Sequence, residues 1–62
     1  MKIKVEIRNK KRRFYLNFSD IKKVFTWQDE FIFISKEGTI HRFGLLEVKN
    51  IWANGNKIYE KH

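Results

Sequence analysis

The amino-acid sequence predicts a small all-β domain, and three observations carry that prediction. The first eight residues alternate apolar and polar without a fault. Short runs of strand composition then recur along the chain, each closed by a polar or glycine-containing turn. Sixty-two residues leave room for one domain, residues 1–62, and a chain this short buries only about 60% of its unfolded surface. It has no cysteine, hence no disulfide, and no Cys/His cluster for a structural zinc. The remaining stabilising devices are short connections, self-association and large aromatic side chains. Six Phe, two Trp and two Tyr supply the last of these, each able to bury about 150–250 Å².

Met1, Ile3, Val5 and Ile7 fall on one face of the first strand, and Lys2, Lys4, Glu6 and Arg8 on the other. Residues 13–18 alternate in the opposite parity, with Phe14, Leu16 and Phe18 against Arg13, Tyr15 and Asn17. A hairpin turning at Lys10 and Lys11 pairs Ile7 with Phe14, Val5 with Leu16 and Ile3 with Phe18. All six then share one face, so register and pattern agree. A four-residue loop over 9–12 keeps that register and avoids placing Lys at the φ > 0 positions of a type I′ turn.

Ser19 and Asp20 read as a turn, and residues 21–28 return to strand composition. Asp29 and Glu30 form the expected bend before a strand over 31–36. Two registers compete. A two-residue loop puts Phe25 and Trp27 on a face with Ile32 and Ile34. A three-residue loop over 28–30 lines them up with Phe31 and Phe33, making one aromatic face and one aliphatic face.

Lys36, Glu37 and Gly38 suit a hairpin loop with glycine in the left-handed position, followed by a strand over 39–43. Gly44 marks a bend or bulge. Over residues 45–53, Leu45, Val48, Ile51 and Trp52 would share one side of a helix. Asn54-Gly55 is nevertheless the strongest hairpin turn signal in the chain, although Gly55 would also cap a helix. An internal echo favours a strand from Val48. Residues 20–25, DIKKVF, match residues 47–52, EVKNIW, in type at six successive positions.

The sum is an all-β chain of five to seven short antiparallel strands, which at this size closes as a small barrel or a compact sandwich. The strand lengths and tight loops favour an SH3-like barrel, with a truncated PH-like sheet as the second choice.

Charge is the strongest functional signal. Fourteen Lys and Arg stand against seven Asp and Glu. Residues 1–25 hold nine basic and two acidic side chains, net +7, whereas residues 26–62 hold five of each. Confined positive charge attracts nucleic acid, anionic membranes or acidic proteins by a salt-dependent force; it also serves simply to keep a small aromatic-rich domain soluble. Nucleic-acid binding needs cations for phosphates and flat or wedge-like side chains for bases. The candidate cations are Lys2, Lys4, Arg8, Lys10, Lys11, Arg12, Arg13, Lys22 and Arg42, and the candidate aromatics are Tyr15, Phe25, Trp27, Phe31 and Phe33. The last four have an equally good use as core.

Residues 19–25, SDIKKVF, preceded by a basic hairpin and followed by a second hairpin, a turn at Gly38 and a strand with Arg42, resemble the Sul7d family of small Sulfolobus chromatin proteins. The resemblance spans roughly residues 1–45. It implies an SH3-like barrel whose triple-stranded sheet lies across the DNA minor groove and wedges apolar side chains between bases. Phe25 then matches the family's sheet tryptophan, Trp27 and Phe31 the two wedge positions, Phe33 and Ser35 the same face further on, and Arg42 an arginine of the third strand. This carry-over requires the three-residue loop. Asp29 and Glu30 depart from the pattern because they would repel phosphate, the family's Gly-rich run is reduced to one Gly, and the family's C-terminal helix is replaced by a stretch ending in an Asn-Gly turn.

No nucleophilic Cys, GxGxxG, P-loop, HExxH or paired metal-ligand motif occurs. His41 reads as a strand histidine and the carboxylates fall mostly at turns. The expectation is therefore a non-enzyme with no cofactor, binding duplex DNA with little sequence specificity. Its expected location is cytoplasmic, since no apolar run approaches the ~20 residues of a membrane span and no signal-peptide pattern is visible. The alternative is a module of the kind common among phage and mobile-element products, basic and rich in Lys, Asn and Ile. It would bind and modulate a host protein or form a homodimer, with Trp52 and Tyr59 as candidates for an exposed patch.

Overall fold

A computed structural model describes all sixty-two residues, Met1–His62. Seven antiparallel strands and no helix make up the chain: β1 (Ile3–Asn9), β2 (Arg12–Phe18), β3 (Ile21–Trp27), β4 (Glu30–Ser35), β5 (Ile40–Gly44), β6 (Val48–Ala53) and β7 (Asn56–Glu60). They form a four-stranded sheet in the order β2-β1-β6-β7 and a three-stranded sheet in the order β3-β4-β5. Neither sheet closes on itself. With no helix present, none is long and apolar enough to cross a membrane.

The first hairpin has the register that alternation demands. Ile7 faces Phe14, Val5 faces Leu16 and Ile3 faces Phe18. The turn is the two-residue one, because Asn9 pairs with Arg12, and Lys10 accepts φ 51° to make it. Phe14 is a partial exception to the inward pattern. It lies on the inner face but near the hairpin end, where the three-stranded sheet no longer covers it, and is 44% exposed.

The second hairpin corrects the place of the bend and decides between the two registers in favour of a two-residue loop. Its turn residues are Gln28 and Asp29, both with positive φ (48° and 61°), one residue earlier than the expected bend. Trp27 pairs with Glu30, Phe25 with Ile32 and Val24 with Phe33. Phe25 and Trp27 therefore share the outer face with Ile32, while Phe31 and Phe33 point inward. The single aromatic face does not form. Its physical reason is core filling: Phe33 is fully buried and Phe31 nearly so, at 6% exposure, and full burial of such a side chain is worth roughly 1.5–3 kcal/mol.

Residues 48–53 are strand, as the internal echo indicates. Their helix-like spacing comes from a bulge: Glu6 pairs with Asn50 but Ile7 pairs with Val48, so Lys49 is the extra residue. Val48 and Ile51, three apart, thereby both reach the core. The same device sits in β3, where Ile21 pairs with Ser35 and Lys23 with Ile34, leaving Lys22 in the bulge.

The core lies between the sheets. Ile3, Val5, Ile7, Val48 and Ile51 come from the four-stranded sheet and Ile21, Phe31 and Phe33 from the three-stranded one. Leu16, Phe18, Val24, Phe43, Leu45, Ala53 and Tyr59 pack around them. Backbone bonds join the sheets at one corner, where Met1 and Ile21 exchange a pair, N to O, at 2.6 and 3.2 Å. Within the three-stranded sheet, Leu45 N donates to the Asp29 carbonyl at 2.9 Å and extends the β4–β5 ladder.

Candidate nucleic-acid interface

Opposed positions on neighbouring strands share a face, so the registers assign each outer surface. On the four-stranded sheet one row runs Asn17, Lys4, Trp52, Lys57 and the next Tyr15, Glu6, Asn50, Glu60, with Arg13 and Arg8 beyond. On the three-stranded sheet the rows are Lys23, Ile34, Ile40; Phe25, Ile32, Arg42; and Trp27, Glu30, Gly44.

Tyr15, Lys4 and Trp52 form a unit across three adjacent strands. The Lys4 ammonium stands 4.7 Å from the Tyr15 ring centroid and 5.2 Å from that of Trp52. The two rings are 6.3 Å apart at an interplanar angle of 47°. Lys57 approaches Trp52 from β7 at 5.7 Å. Below them, Glu6 is buried and holds the Arg13 guanidinium at 3.2 Å and the Asn50 amide at 2.8 Å. That carboxylate is spent on its neighbours, so it fixes Arg13 on the face and is itself withdrawn from solvent.

Beyond Arg8 and Arg13, Lys10, Lys11 and Arg12 crown the hairpin, all exposed and in no ion pair. The Arg8 N–H donates to the Glu47 carbonyl at 2.9 Å, which brings the β5–β6 connection beside the hairpin. A cleft of about 290 Å³ there is lined by Arg8, Lys10, Glu47, Lys49 and Lys61 among others. The last two ammonium groups are tied to backbone carbonyls, Lys49 to Lys61 and Lys61 to Leu46.

At the opposite end of the same sheet, a groove of about 500 Å³ runs beside Trp52. Lys2, Lys4, Asn17, Ser19 and the Gly55 backbone line it. Gly55 reaches the groove from the two-residue turn it makes with Asn54, the one that Asn-Gly foretells, at φ 51° and 86°. Asn54 Oδ1 accepts from the Lys2 N–H at 2.9 Å, and the Asn54 N–H donates to the Lys2 carbonyl.

The outer face of the three-stranded sheet is a different surface. Trp27 is 58% exposed, and Phe25 and Ile40 are exposed with it. Its charges nearly cancel: Arg42 bonds Glu30 at 3.1 Å, and Lys23 lies 5.4 Å from the Phe25 ring.

The candidate residues thus divide into three groups. Lys2, Lys4, Arg8, Lys10, Lys11, Arg12, Arg13 and Tyr15 gather on the four-stranded sheet and its hairpin tip. Phe25, Trp27 and Arg42 lie on the outer face of the other sheet, with Lys22 exposed in its bulge. Phe31 and Phe33 are core. The wedge pair implied by the resemblance is split, Trp27 outside and Phe31 inside. Trp52 and Lys57 join the basic face without having been placed there by the sequence; the echo that aligns Trp52 with Phe25 was the available signal, because both turn outward after a bulge. His41 packs its ring 4.5 Å from that of Phe18, and no cluster of His, Asp and Glu capable of holding a metal ion exists. No family model matches the chain, and neither does any curated protein or solved structure.

Proposed function

We propose that the chain binds nucleic acid with little sequence specificity, through the outer face of the four-stranded sheet and the hairpin tip that continues it. The observation that carries this reading is the gathering of Lys2, Lys4, Arg8, Lys10, Lys11, Arg12 and Arg13 with Tyr15 and Trp52 on one surface, where Glu6 and Glu60 oppose them on the sheet, Glu47 lies beside the tip, and Glu6 is already paired. Cations in that density fix a phosphate backbone, and the rings offer π faces that every base can meet. Low specificity belongs to this reading when the cations are spent on phosphates, whose contacts carry no sequence information. An SH3-like barrel belongs to this reading; the backbone link between Met1 and Ile21 supports it by drawing the two sheets together at one corner.

A titration with DNA at several salt concentrations tests the proposal. Affinity should fall steeply with salt, as counterion release requires. Absence of binding at low salt would remove the reading.

The second reading is association with another protein or a second copy through the three-stranded sheet, favoured by the bare apolar surface of Phe25, Trp27 and Ile40. Sedimentation of the pure chain across a range of concentrations tests self-association. Trp27→Ser with Ile40→Lys should abolish any dimer while leaving DNA affinity unchanged.

A further inference from the structure

We infer that the basic face is a single-strand site, in which Tyr15 and Trp52 stack unpaired bases and the groove beside Trp52 holds one nucleotide. This rests on the nucleic-acid reading and specifies its ligand.

The argument begins with the shape of the aromatics. A side chain that wedges into a duplex must project from its surface and present an apolar end. Trp52 does not project; it is half-buried and flanked by two ammonium groups, at 5.2 and 5.7 Å. Tyr15 likewise shares its face with Lys4 and carries a polar end. Rings of this kind can engage bases only face to face, and in a duplex the base faces are covered by their neighbours. An unpaired base has a free face.

The lysines supply the second part. Lys4 covers both rings in the free protein. A strand laid along the sheet brings a phosphate to Lys4 and a base to each ring, so that the ammonium exchanges a cation–π contact for a charge-assisted hydrogen bond. Movement of Lys4 thus uncovers Tyr15 and, together with Lys57, Trp52, and neutralises the ligand.

The groove supplies the third. Its volume of about 500 Å³ is of the size that holds a small ligand. Trp52 forms its apolar wall, Lys2 and Lys4 provide charge, and Asn17 and Ser19 provide hydrogen-bonding groups suited to a base edge or sugar. From this groove to the hairpin tip the cations follow β1, whose seven residues span roughly 23 Å. That length suits about four nucleotides, the low end of known single-strand sites.

The test uses the full chain carrying Trp27→Phe, which leaves Trp52 as the single tryptophan. Ten-nucleotide oligothymidylate, oligouridylate, a blunt duplex with the same number of phosphates, and polyglutamate of matched charge are titrated at low salt. Binding and Trp52 fluorescence are both read. At least one single strand should bind about tenfold or more tighter than the duplex and polyglutamate, and should quench Trp52. Tyr15→Ala should weaken single-strand binding about tenfold. A duplex or polyglutamate bound as tightly as the single strands would overturn the inference, as would single-strand binding with unchanged Trp52 emission. Duplex binding without single-strand preference would still leave the nucleic-acid reading standing. Failure of every nucleic acid to bind would remove both.

Discussion

Trp52 and Phe25 occupy matching places in two copies of one short motif, yet their surroundings differ sharply. In each copy an inward aliphatic (Val48 or Ile21) is followed by a bulged lysine (Lys49 or Lys22), an outward polar residue (Asn50 or Lys23), a second inward aliphatic (Ile51 or Val24) and an outward aromatic. But β6 lies between β1 and β7, whereas β3 is an edge strand with β4 alone beside it. Trp52 therefore receives a lysine from each neighbour, Lys4 and Lys57. Phe25 receives Lys23 from its own strand and remains exposed, with Trp27 bare two residues on. A motif fixes which way a side chain points. The number of neighbouring strands fixes what it meets there.

The sharpest way to break this comparison is to cross from face to core. Phe33→Ala should cost about 3–5 kcal/mol in urea unfolding, since it empties a fully buried site; Phe25→Ala, on the outer face, should cost about 1 kcal/mol or less. Equal losses would mean that inside and outside are wrongly assigned. Next in size is reversal of the tip charges. The triple variant Lys10→Glu, Lys11→Glu and Arg12→Glu should lower DNA affinity at least tenfold and flatten its dependence on log salt by about two to three. The two reversals Lys23→Glu and Arg42→Glu on the other sheet should alter affinity much less, per charge reversed.

Within the basic face, Glu6→Ala should cost about 1–3 kcal/mol, because the Asn50 amide loses its acceptor in a part-buried site. The same change frees Arg13, so DNA affinity measured on the folded protein should rise rather than fall. Replacing Gln28 and Asp29 by Asn and Gly should stabilise the chain by about 1 kcal/mol, as the left-handed conformation of both positions is costly for Gln and easy for Gly. The smallest effect belongs to Glu30→Gln, which breaks the partly exposed pair with Arg42 and should change the unfolding free energy by no more than about 1 kcal/mol.

Alternation and the place of the basic turn together determined the first hairpin. With period two on both strands, every second register puts Ile3, Val5 and Ile7 on a face with Leu16 and Phe18, and the turn at Lys10 and Lys11 selects the one the structure adopts. Asn54-Gly55 likewise announced its own turn, since its residues tolerate the backbone that the turn imposes. At Gln28 and Asp29 the residues carry no such signature, and the register there was open. Tertiary packing closed it: Phe31 and Phe33 were needed to fill the space between the sheets, and the turn took two unfavourable φ angles to deliver them. The bulges at Lys22 and Lys49 were legible only as an echo without a meaning, because spacing by three looks the same in a helix and in a bulged strand until a partner strand is present. The basic interface was half visible for the same reason. Its cations lie close together in sequence on β1 and β2, but Trp52 reaches them from the other end of the chain, through pairing of β6 with β1 that no local pattern specifies.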